Sequence, residues 1–354
     1  MLHCDISATL QQQVRRAIEC GVPLRIEGGN SKSFLGRETH GEILDVSAHR
    51  GIVEYDPREL VLTARSGTPL REVETALAEA GQMLAFEPPH FGDYATLGGT
   101  IACGLSGPRR PFCGSARDFV LGCKLINGKG EILRFGGQVI KNVAGYDVSR
   151  LMVGAYGTLG VLLEVSLKVL PRPAASLTIV QECATAEAIG KMSRLLSQSM
   201  PVDGACYHAG HFYLRLSGSE QAVQHSHAHW GGDVMATPES FWHDLREHLL
   251  PFFGSEKPLY RVSIKPATPP LEISGEWLLD WGGAQRWLSS DEPVASIRER
   301  VEGSGGHVTQ FRGGDRDNDR FQPLAAPLQA LHQRLKSSFD PCRIFNPGRI
   351  YESL

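Results

Sequence analysis

Residues 95–161 decide the fold that this sequence predicts. The stretch opens with Ala-Thr-Leu-Gly-Gly-Thr-Ile-Ala at positions 95–102 and closes with Gly-Thr-Leu-Gly-Val at positions 157–161. Asn127-Gly128 lies between the two clusters and predicts a hairpin. Glycines let a ligand approach the main chain closely, so two glycine clusters flanking strands predict backbone wrapped around a flat, bulky cofactor. An ordinary turn would explain Gly98-Gly99, taken alone, equally well.

Length and composition are typical of a globular protein with two or three domains. The chain has 354 residues, of which 42% are hydrophobic and 21% charged. A net charge of -3 gives no electrostatic footprint for nucleic acid. No apolar run approaches the roughly 18 residues that span a bilayer, and no signal-peptide pattern follows Met1. We therefore expect a cytoplasmic protein that does not bind nucleic acid.

The eight cysteines are scattered, without a Cys-x-x-Cys pair. This pattern argues against a zinc site or an iron–sulfur cluster held by this chain alone, and it fits reduced thiols. Histidines gather in the second half of the chain, at positions 208, 211, 225, 227 and 229. Three imidazoles spaced two apart do not converge on one side of a helix, so we predict no metal site.

The first ninety residues predict a small α/β unit that carries a phosphate-binding loop. A helix is expected over residues 7–19 and a strand over 23–27, which runs into Gly-Gly-Asn-Ser-Lys-Ser at 28–33. Such a loop can present consecutive N–H groups to a pyrophosphate. It has neither the Gly-x-Gly-x-x-Gly nor the Walker spacing, and a plain loop explains it equally well.

The next elements extend this unit to a boundary marked by prolines. A strand at 60–64 precedes a helix with Thr68 as N-cap and Pro69 at the first helical position. Residues 161–170 alternate as a strand with one buried face, and Pro171 and Pro173 then break the chain. Beyond them we expect strands at 177–182, 205–208 and 212–216 and helices at 185–199 and 239–253. A helix at 323–339, with leucines at 324, 328, 331 and 335 along one stripe, is expected to pack in the core.

The order of these motifs resembles the FAD-binding domain of the vanillyl-alcohol oxidase family, the p-cresol methylhydroxylase (PCMH) type. Within that family, the segments at 104–110, 114–118 and 141–147 resemble the E subunits of bacterial glycolate oxidases. The resemblance implies an α+β fold. It comprises a two-subdomain FAD-binding domain at 1–173, a mixed α+β cap domain at 174–318, and a C-terminal segment at 319–354 that returns to the FAD domain.

The resemblance also implies which residues contact FAD. The pyrophosphate would be held by Gly28, Gly29, Asn30 and Ser31. The isoalloxazine and ribityl region would be lined by Pro88, Thr96, Leu97, Gly98 and Gly99. The adenine or ribose end would lie near Gly160 and Val161. Asn346, in a tail that resembles the family's Asn-Pro-Gly signature, could hydrogen-bond the flavin ring, although Asn-Pro-Gly is also a strong turn sequence.

In several branches of the family, a histidine near the phosphate loop bonds covalently to the flavin. The corresponding position here is Asn30, whose amide cannot form that linkage, so we expect non-covalent FAD. Cys103 and Cys113 are conceivable second attachment points, but small buried residues are the interpretation we favour for them.

Two further segments have two interpretations each. Arg109 and Arg110 could face an acidic substrate or partner, but we favour a solvated basic pair. Lys141, Asn142, Tyr146 and Asp147 could lie near the flavin, or Asp147 could simply cap a helix that starts at position 148.

The resemblance implies a role in a multi-subunit glycolate dehydrogenase (glycolate oxidase) that oxidises glycolate to glyoxylate. The related D-type FAD subunits and 2-hydroxyacid dehydrogenases carry a His-rich metal motif with Gly-Asp-Gly-Asn, and a later Glu-His-Gly. This chain has neither: it reads Gly-Gly-Asp-Arg at 313–316, and no glutamate precedes Gly306-His307. We therefore expect that this chain does not oxidise a 2-hydroxyacid without a partner subunit.

We expect the substrate to be oxidised on a D-type subunit, with this chain relaying electrons to an iron–sulfur subunit or completing the assembly. The complex could touch the inner membrane peripherally. The alternatives are a self-sufficient flavin oxidoreductase for an alcohol or 2-hydroxyacid, and a structural subunit that has lost its flavin.

Overall fold

The computed structural model describes residues 3–137, 147–195, 197 and 200–354. In this part of the chain, a five-stranded and an eight-stranded sheet carry most of the fold, together with two two-stranded sheets. Helices pack against both larger sheets, as the predicted α+β class requires. The domain boundaries at 173 and 318 remain a prediction.

The first half of the chain contains the loops and strands that later surround the cleft. Its elements are α1 (Ser7–Cys20), β1 (Leu24–Glu27), β2 (Glu42–Asp45), β3 (Ile52–Asp56), β4 (Val61–Arg65), α2 (Leu70–Glu79), β5 (Gln82–Met83), α3 (Leu97–Cys103), α4 (Arg110–Cys113), α5 (Ala116–Phe119), β6 (Val120–Ile126), β7 (Ile132–Gly136), α6 (Val148–Leu151), β8 (Val161–Lys168) and β9 (Leu170–Pro171). The predicted hairpin at Asn127-Gly128 is confirmed, because it joins the antiparallel strands β6 and β7.

The five-stranded sheet runs β3-β4-β8-β6-β7, and its central strand departs from the expected pattern. The sequence predicts one buried face for β8, but both faces are buried. Val161 and Leu163 pack in the cluster that contains α1, whereas Leu162 and Leu167 pack in the cluster that contains α2 and α3. Register shifts along β6 accompany this arrangement. Alternation failed as a guide because β8 is covered on both sides.

The second half of the chain forms the eight-stranded sheet, ordered β13-β10-β12-β11-β15-β16-β14-β17. Its elements are β10 (Ala175–Glu182), α7 (Thr185–Leu195), β11 (Val202–His208), β12 (His211–Gly218), α8 (Glu220–Trp230), β13 (Asp233–Val234), α9 (Pro238–Glu247), β14 (Leu259–Ser263), β15 (Glu276–Asp280), β16 (Gln285–Ser289), α10 (Val294–Gly303), β17 (His307–Arg312) and α11 (Ala326–Phe339), with short 3-10 turns at Pro251–Gly254 and Trp281–Gly283. The sequence predicted β10 to β12, α7 and α9; the last residues of the helix predicted over 185–199 lie partly outside the described chain. It missed β14 to β17, α8 and α10.

The C-terminal tail returns to the first half of the chain, as expected. The Leu24 N–H donates to Ile344 O, and the Asn346 N–H donates to Leu24 O at 3.0 Å, so the tail adds to the free edge of β1. The buried Lys336 ammonium donates to Thr158 O and Phe345 O, both at 2.8 Å, and to the Asp340 carboxylate at 2.7 Å. These bonds fix the end of α11 against the segment that follows α6.

The leucine stripe of α11 is not in the core, so that prediction is wrong. Leu328 is 50% exposed and Leu331 is 42% exposed. Lys336 is the buried side chain of this helix. The sequence pattern shows only that an apolar stripe exists, and it does not show whether the same chain covers it.

A ring of four alternating charges joins the two halves of the molecule. Arg109 Nε lies 2.9 Å from Glu87 and its Nη2 lies 2.9 Å from Asp203, while Arg215 contacts the same two carboxylates at 2.9 and 2.6 Å. Burial alone would raise the pKa of Glu87, but the two guanidiniums hold that pKa below its ordinary value. The solvated interpretation of Arg109 is therefore wrong. Arg110 is exposed, and its guanidinium lies 4.3 Å from the ring centre of Trp281.

Candidate functional site

A cleft of about 320 Å³ lies where the first half of the chain meets the tail. Its size is within the range of ~300–1,000 Å³ that ligand sites occupy. Eight of the residues singled out from the sequence line it: Gly28, Asn30, Ser31, Thr96, Gly98, Gly99, Gly160 and Asn346. The fold thus brings together residues from four separate segments of the sequence.

The other four predicted residues are not among those that line the cleft. Leu97 and Val161 are fully buried in hydrophobic clusters, and Pro88 is also buried. Gly29 packs on the neighbouring loop so closely that a Cβ atom there would overlap the carbonyl group of Tyr94. Direct contact with a ligand remains a prediction for these four residues.

The loop at 28–33 has the features of an anion-binding turn. Asn30 adopts a positive φ of 55°, and the Ser33 N–H donates to Asn30 O at 3.1 Å, which closes the turn. No described residue accepts a hydrogen bond from the backbone N–H groups of positions 28–32. Consecutive free N–H groups in a turn form a concave site for phosphate oxygens. Lys32 also lines the cleft, and its ammonium donates to His90 O at 3.1 Å.

The start of α3 faces the loop but offers fewer free donors. Its first N–H groups are used within the protein: Leu97 donates to Thr68 O at 2.9 Å, and Gly98 donates to Ser66 O at 2.7 Å. Thr96 caps the helix, its Oγ1 accepting from the Gly99 N–H at 3.2 Å. Donors for an anion must therefore come mainly from the loop. The predicted cap at Thr68 is wrong, because its hydroxyl instead accepts from the Gly51 N–H at 2.9 Å.

Gly28 and Gly99 line the cleft in two different ways. A Cβ on Gly28 would lie 2.6 Å from Thr96 Oγ1, so the loop and the helix start could not approach as they do. A Cβ on Gly99 would meet only Thr96 Oγ1, at 3.2 Å, and otherwise point into open space. Gly99 thus presents bare backbone to the cleft.

Asn346 links the cleft's two sides through its side-chain amide. Its Oδ1 accepts from the Ile26 N–H at 2.8 Å, and its Nδ2 donates to Tyr156 O at 2.6 Å. The side chain is 6% exposed, so it forms part of the cleft floor. Both polar atoms of the Asn346 side chain already have partners in the protein. A hydrogen bond from Asn346 to a flavin ring remains a prediction.

Two arginines at the cleft were missed from the sequence. Arg316 and Arg349 line it, and the Nη2 atoms of both donate to Ser33 O, at 2.7 and 2.9 Å. Nothing in the spacing of positions 33, 316 and 349 signals that they meet. The only local hint is that Arg349 directly follows Asn-Pro-Gly in the tail.

Cys103 and Cys113, considered as possible attachment points for the flavin, lie in surroundings that keep their thiols protonated. Cys103 lines the cleft, and burial raises the pKa of its thiol, although the nearby Lys32 opposes this shift. Cys113 is not among the cleft residues, and burial raises the pKa of its thiol to about 12. A protonated thiol is a poor nucleophile. All eight cysteines are free.

Other residues singled out from the sequence lie away from the cleft. Asp147 Oδ1 accepts from the Arg150 N–H at 3.0 Å and caps α6, while Lys141, Asn142 and Tyr146 lie outside the described residues. Throughout the part of the chain described here, no three His, Cys, Asp or Glu side chains could together hold a metal ion. No helix in that part has the length and apolarity needed to cross a bilayer.

Aromatic rings pack together beside strands β16 and β17 of the eight-stranded sheet. We call this the aromatic cluster: Phe34, Phe91, His248, Phe253, Trp287 and Phe311. Its members lie close together, with His248 stacked on Phe253 at 3.9 Å between ring centres and Trp287 against Phe311 at 4.8 Å. The cavity beside it has a volume of only about 20 Å³, and room for about one water needs ~10–15 Å³. Burial lowers the pKa of His248 well below its ordinary value, so its ring is neutral.

Comparison with known proteins shows which family the first part of the chain matches. Residues 3–136 match the FAD binding domain family. The fold resembles that of alkyldihydroxyacetonephosphate synthase with a TM-score of 0.66 and 14% identity, over 96% of this chain and 74% of that one. At this identity the likeness shows the fold alone, and it agrees with the PCMH-type architecture expected from the sequence.

Relatives of known name extend the likeness beyond that domain. The chain is 33% identical over 143 residues to glycolate oxidase subunit GlcD of Bacillus subtilis (strain 168), covering 40% of this chain and 30% of that protein. It is 52% identical over 351 residues to glycolate oxidase subunit GlcE of Escherichia coli (strain K12), which is 99% of both chains. Because this second likeness spans both chains, the protein is an FAD-binding oxidoreductase subunit that belongs to the family of the glycolate oxidase subunit GlcE.

Proposed function

We propose that this chain is the non-catalytic flavin subunit of a multi-subunit glycolate oxidase. Glycolate is oxidised to glyoxylate on a related D-type FAD subunit, and this chain relays electrons to an iron–sulfur subunit or completes the assembly. Its location is cytoplasmic, and any contact with the inner membrane is made through the partner subunits. The relatives named as GlcE and GlcD subunits support the assembly.

Two features of the cleft fit FAD: its free backbone N–H groups and the space beside Gly99. The free N–H groups at 28–32 match the acceptor oxygens of a pyrophosphate, which Gly28, Gly29, Asn30 and Ser31 would hold. Gly99 leaves room for the ribityl or ring portion, and the adenine or ribose end would lie near Gly160, which also lines the cleft. FAD, when bound, supplies the electron-transfer chemistry, and the protein supplies binding and orientation.

The FAD is held without a covalent bond. Asn30 stands where some relatives of the wider family carry a histidine, and the Cys103 thiol stays protonated. Precipitating the purified protein with acid should release the yellow chromophore into the supernatant. Flavin that remains in the pellet would contradict this part of the proposal.

The packed aromatic cluster is the observation that carries the non-catalytic assignment. A 2-hydroxyacid needs a chamber beside the flavin and a group that accepts the hydroxyl proton. The neighbouring cavity holds about one water, and no histidine is found among the described residues that line the cleft. His90 is occupied with Glu74 at 2.9 Å, and His307 lies on β17 away from the cleft lining.

Anaerobic mixing with glycolate tests this assignment. The flavin-loaded chain alone should keep its visible flavin absorbance, whereas addition of a D-type subunit should bleach it quickly. Fast bleaching without a partner would support the self-sufficient oxidoreductase instead. A colourless protein that still assembles with its partners would support the structural subunit without flavin.

The exposed start of α11 supports assembly with another subunit. Positions 323–331 read Pro-Leu-Ala-Ala-Pro-Leu-Gln-Ala-Leu, an uncharged apolar segment whose Leu328 and Leu331 are largely exposed. Exposed apolar patches of this kind mark interaction sites. Replacing both leucines with serine should reduce co-purification with the D-type subunit and leave FAD content unchanged. Leu249→Ser, at a leucine that is 62% exposed elsewhere, is the matched control.

A further inference from the structure

We infer that Arg316 and Arg349 form an anion site that binds the diphosphate of FAD from outside the FAD-binding domain. Both arginines lie beyond residues 3–136, the part that matches the FAD binding domain family. The inference rests on the proposal that FAD occupies the cleft. It adds side chains from the last forty residues of the chain to a site otherwise built of backbone N–H groups.

The two guanidiniums converge on one atom at the end of the phosphate loop. Arg316 Nη2 and Arg349 Nη2 donate to Ser33 O at 2.7 and 2.9 Å, and Arg349 Nη1 donates to Arg37 O at 3.1 Å. Ser33 directly follows the positions 28–32, whose N–H groups have no described acceptor. The side-chain donors and the loop donors therefore border the same space.

Arg316 has a buried donor that nothing in the described chain satisfies. Its Nε is shielded from solvent and has no hydrogen-bond partner among the described residues. A buried polar atom without a partner destabilises the fold, and more so when the group is charged. An oxygen of a bound diphosphate would satisfy this atom, since a guanidinium binds phosphate through two parallel donors.

The charges at the cleft are unbalanced in favour of an anion. In the described chain, neither Arg316 nor Arg349 has a carboxylate within ion-pair distance. The neighbouring arginines differ, because Arg25 pairs with Glu27 at 2.6 Å and Arg37 with Asp319 at 3.7 Å. Burial lowers the pKa of Arg349, and the nearby Arg316 lowers it further. A diphosphate supplies the missing negative charge.

A contact with the flavin ring instead of the diphosphate is the competing explanation, and ADP separates the two. ADP carries the diphosphate and adenosine without the isoalloxazine ring, while riboflavin carries the ring without phosphate. The full-length chain, freed of flavin, is titrated calorimetrically with FAD, ADP and riboflavin. Binding of FAD by the unmodified chain tests the proposed function, and the variants test the present inference.

Arg316→Gln should weaken FAD and ADP alike by roughly 10- to 100-fold, the effect of losing a charge-assisted hydrogen bond. It should leave riboflavin binding unchanged. Arg316→Lys should recover part of the affinity, since it restores the charge but not the paired donors. Arg349→Gln is tested beside it, with melting temperature as a check on folding, because Arg349 also bonds the backbone of Arg37. Arg58→Gln, at an arginine side chain that is 89% exposed, is the matched control.

Salt dependence gives a second readout that a merely structural role would not move. ADP affinity of the unmodified chain should fall as salt rises, and the slope should be smaller for Arg316→Gln. Unchanged ADP affinity in both variants would overturn the inference. A loss of FAD affinity with ADP affinity intact would also overturn it, by placing the contact at the flavin ring.

Discussion

Asn346 accepts a hydrogen bond from the backbone N–H of Ile26, at 2.8 Å, across 320 positions of sequence. The same amide donates to Tyr156 O at 2.6 Å. One side chain in the tail therefore holds together the strand that leads into the phosphate loop and the segment that forms the opposite wall of the cleft. The cleft therefore includes residues from both the start and the end of the chain.

Asn346→Ala should lower both stability and flavin content. The change removes two hydrogen bonds in a buried setting and leaves the Ile26 N–H without a partner, a cost of about 1–3 kcal/mol. Thermal unfolding and the ratio of flavin to protein absorbance measure the two effects. Asn318→Ala, in an exposed turn where the amide bonds Asp315, is the control and should change neither. Full flavin content in Asn346→Ala would show that the tail is not needed for the cleft.

Local pattern was enough to predict the helix and the strand that precede the phosphate loop. The helix predicted over residues 7–19 is α1, which ends at Gly21 in the left-handed conformation. The strand that leads into the loop and the tail's return to it were also predicted, the second only through family resemblance. These features depend on short stretches of chain, where the residues themselves limit the backbone.

Gly98 and Gly99 are adjacent, but an added side chain should affect stability at Gly98 and flavin binding at Gly99. A Cβ on Gly98 would lie 2.5 Å from Ser66 Cβ, so Gly98→Ala should destabilise the fold. A Cβ on Gly99 points into the cleft, so Gly99→Val should fold but be colourless. Circular dichroism melts and visible spectra of both variants check this. A yellow Gly99→Val protein would place Gly99 away from the cofactor.

The sequence could not predict the features that depend on partners far apart in the chain. Arg109 and Arg110 are neighbours in a basic pair, yet Arg109 pairs with Asp203 in the ring of charges and Arg110 is exposed beside Trp281. The members of the aromatic cluster come from positions as distant as Phe34 and Phe311. Arg316 and Arg349 meet at Ser33 for the same reason. Composition and periodicity describe one element at a time, whereas these contacts are decided by the packing of the whole chain.

The charge ring should contribute far more to stability than an exposed ion pair does. Arg109→Met leaves Glu87 and Asp203 with one guanidinium between them, and breaking a buried ion pair in this way costs about 3–5 kcal/mol. Arg134→Met is the matched control, because Arg134 pairs with Glu164 at 3.2 Å but its side chain is 70% exposed. An exposed pair contributes ~0–1 kcal/mol. Equal shifts of the two variants in urea denaturation would contradict the importance of the ring.

Asp280 should make stability depend on pH near neutrality. Its side chain is 3% exposed, with Oδ1 accepting from the Trp281 N–H at 2.7 Å. Burial, reinforced by the charge of Glu87, raises the pKa of this carboxyl from 3.8 to about 7. Between these two values the folded protein holds a proton that the unfolded chain has lost, so stability falls as the pH rises through this window. The penalty is complete above the folded pKa and is absent at low pH.

Asp280→Asn removes this titration while Oδ1 can still accept from Trp281. The variant should therefore be more stable than the unmodified protein at pH 8.5 (about 1.5 units above the folded pKa), by up to ~4 kcal/mol at the full shift. The difference should shrink steadily as the pH is lowered toward about 5, where the native carboxyl is protonated in the folded state. Denaturation curves at several pH values measure it, with the exposed Asp317→Asn as the control. Parallel pH profiles for Asp280→Asn and the unmodified protein would show that Asp280 is ionised in the fold, and its carboxylate would then need a partner beyond Gln285, whose amide lies 3.4 Å away.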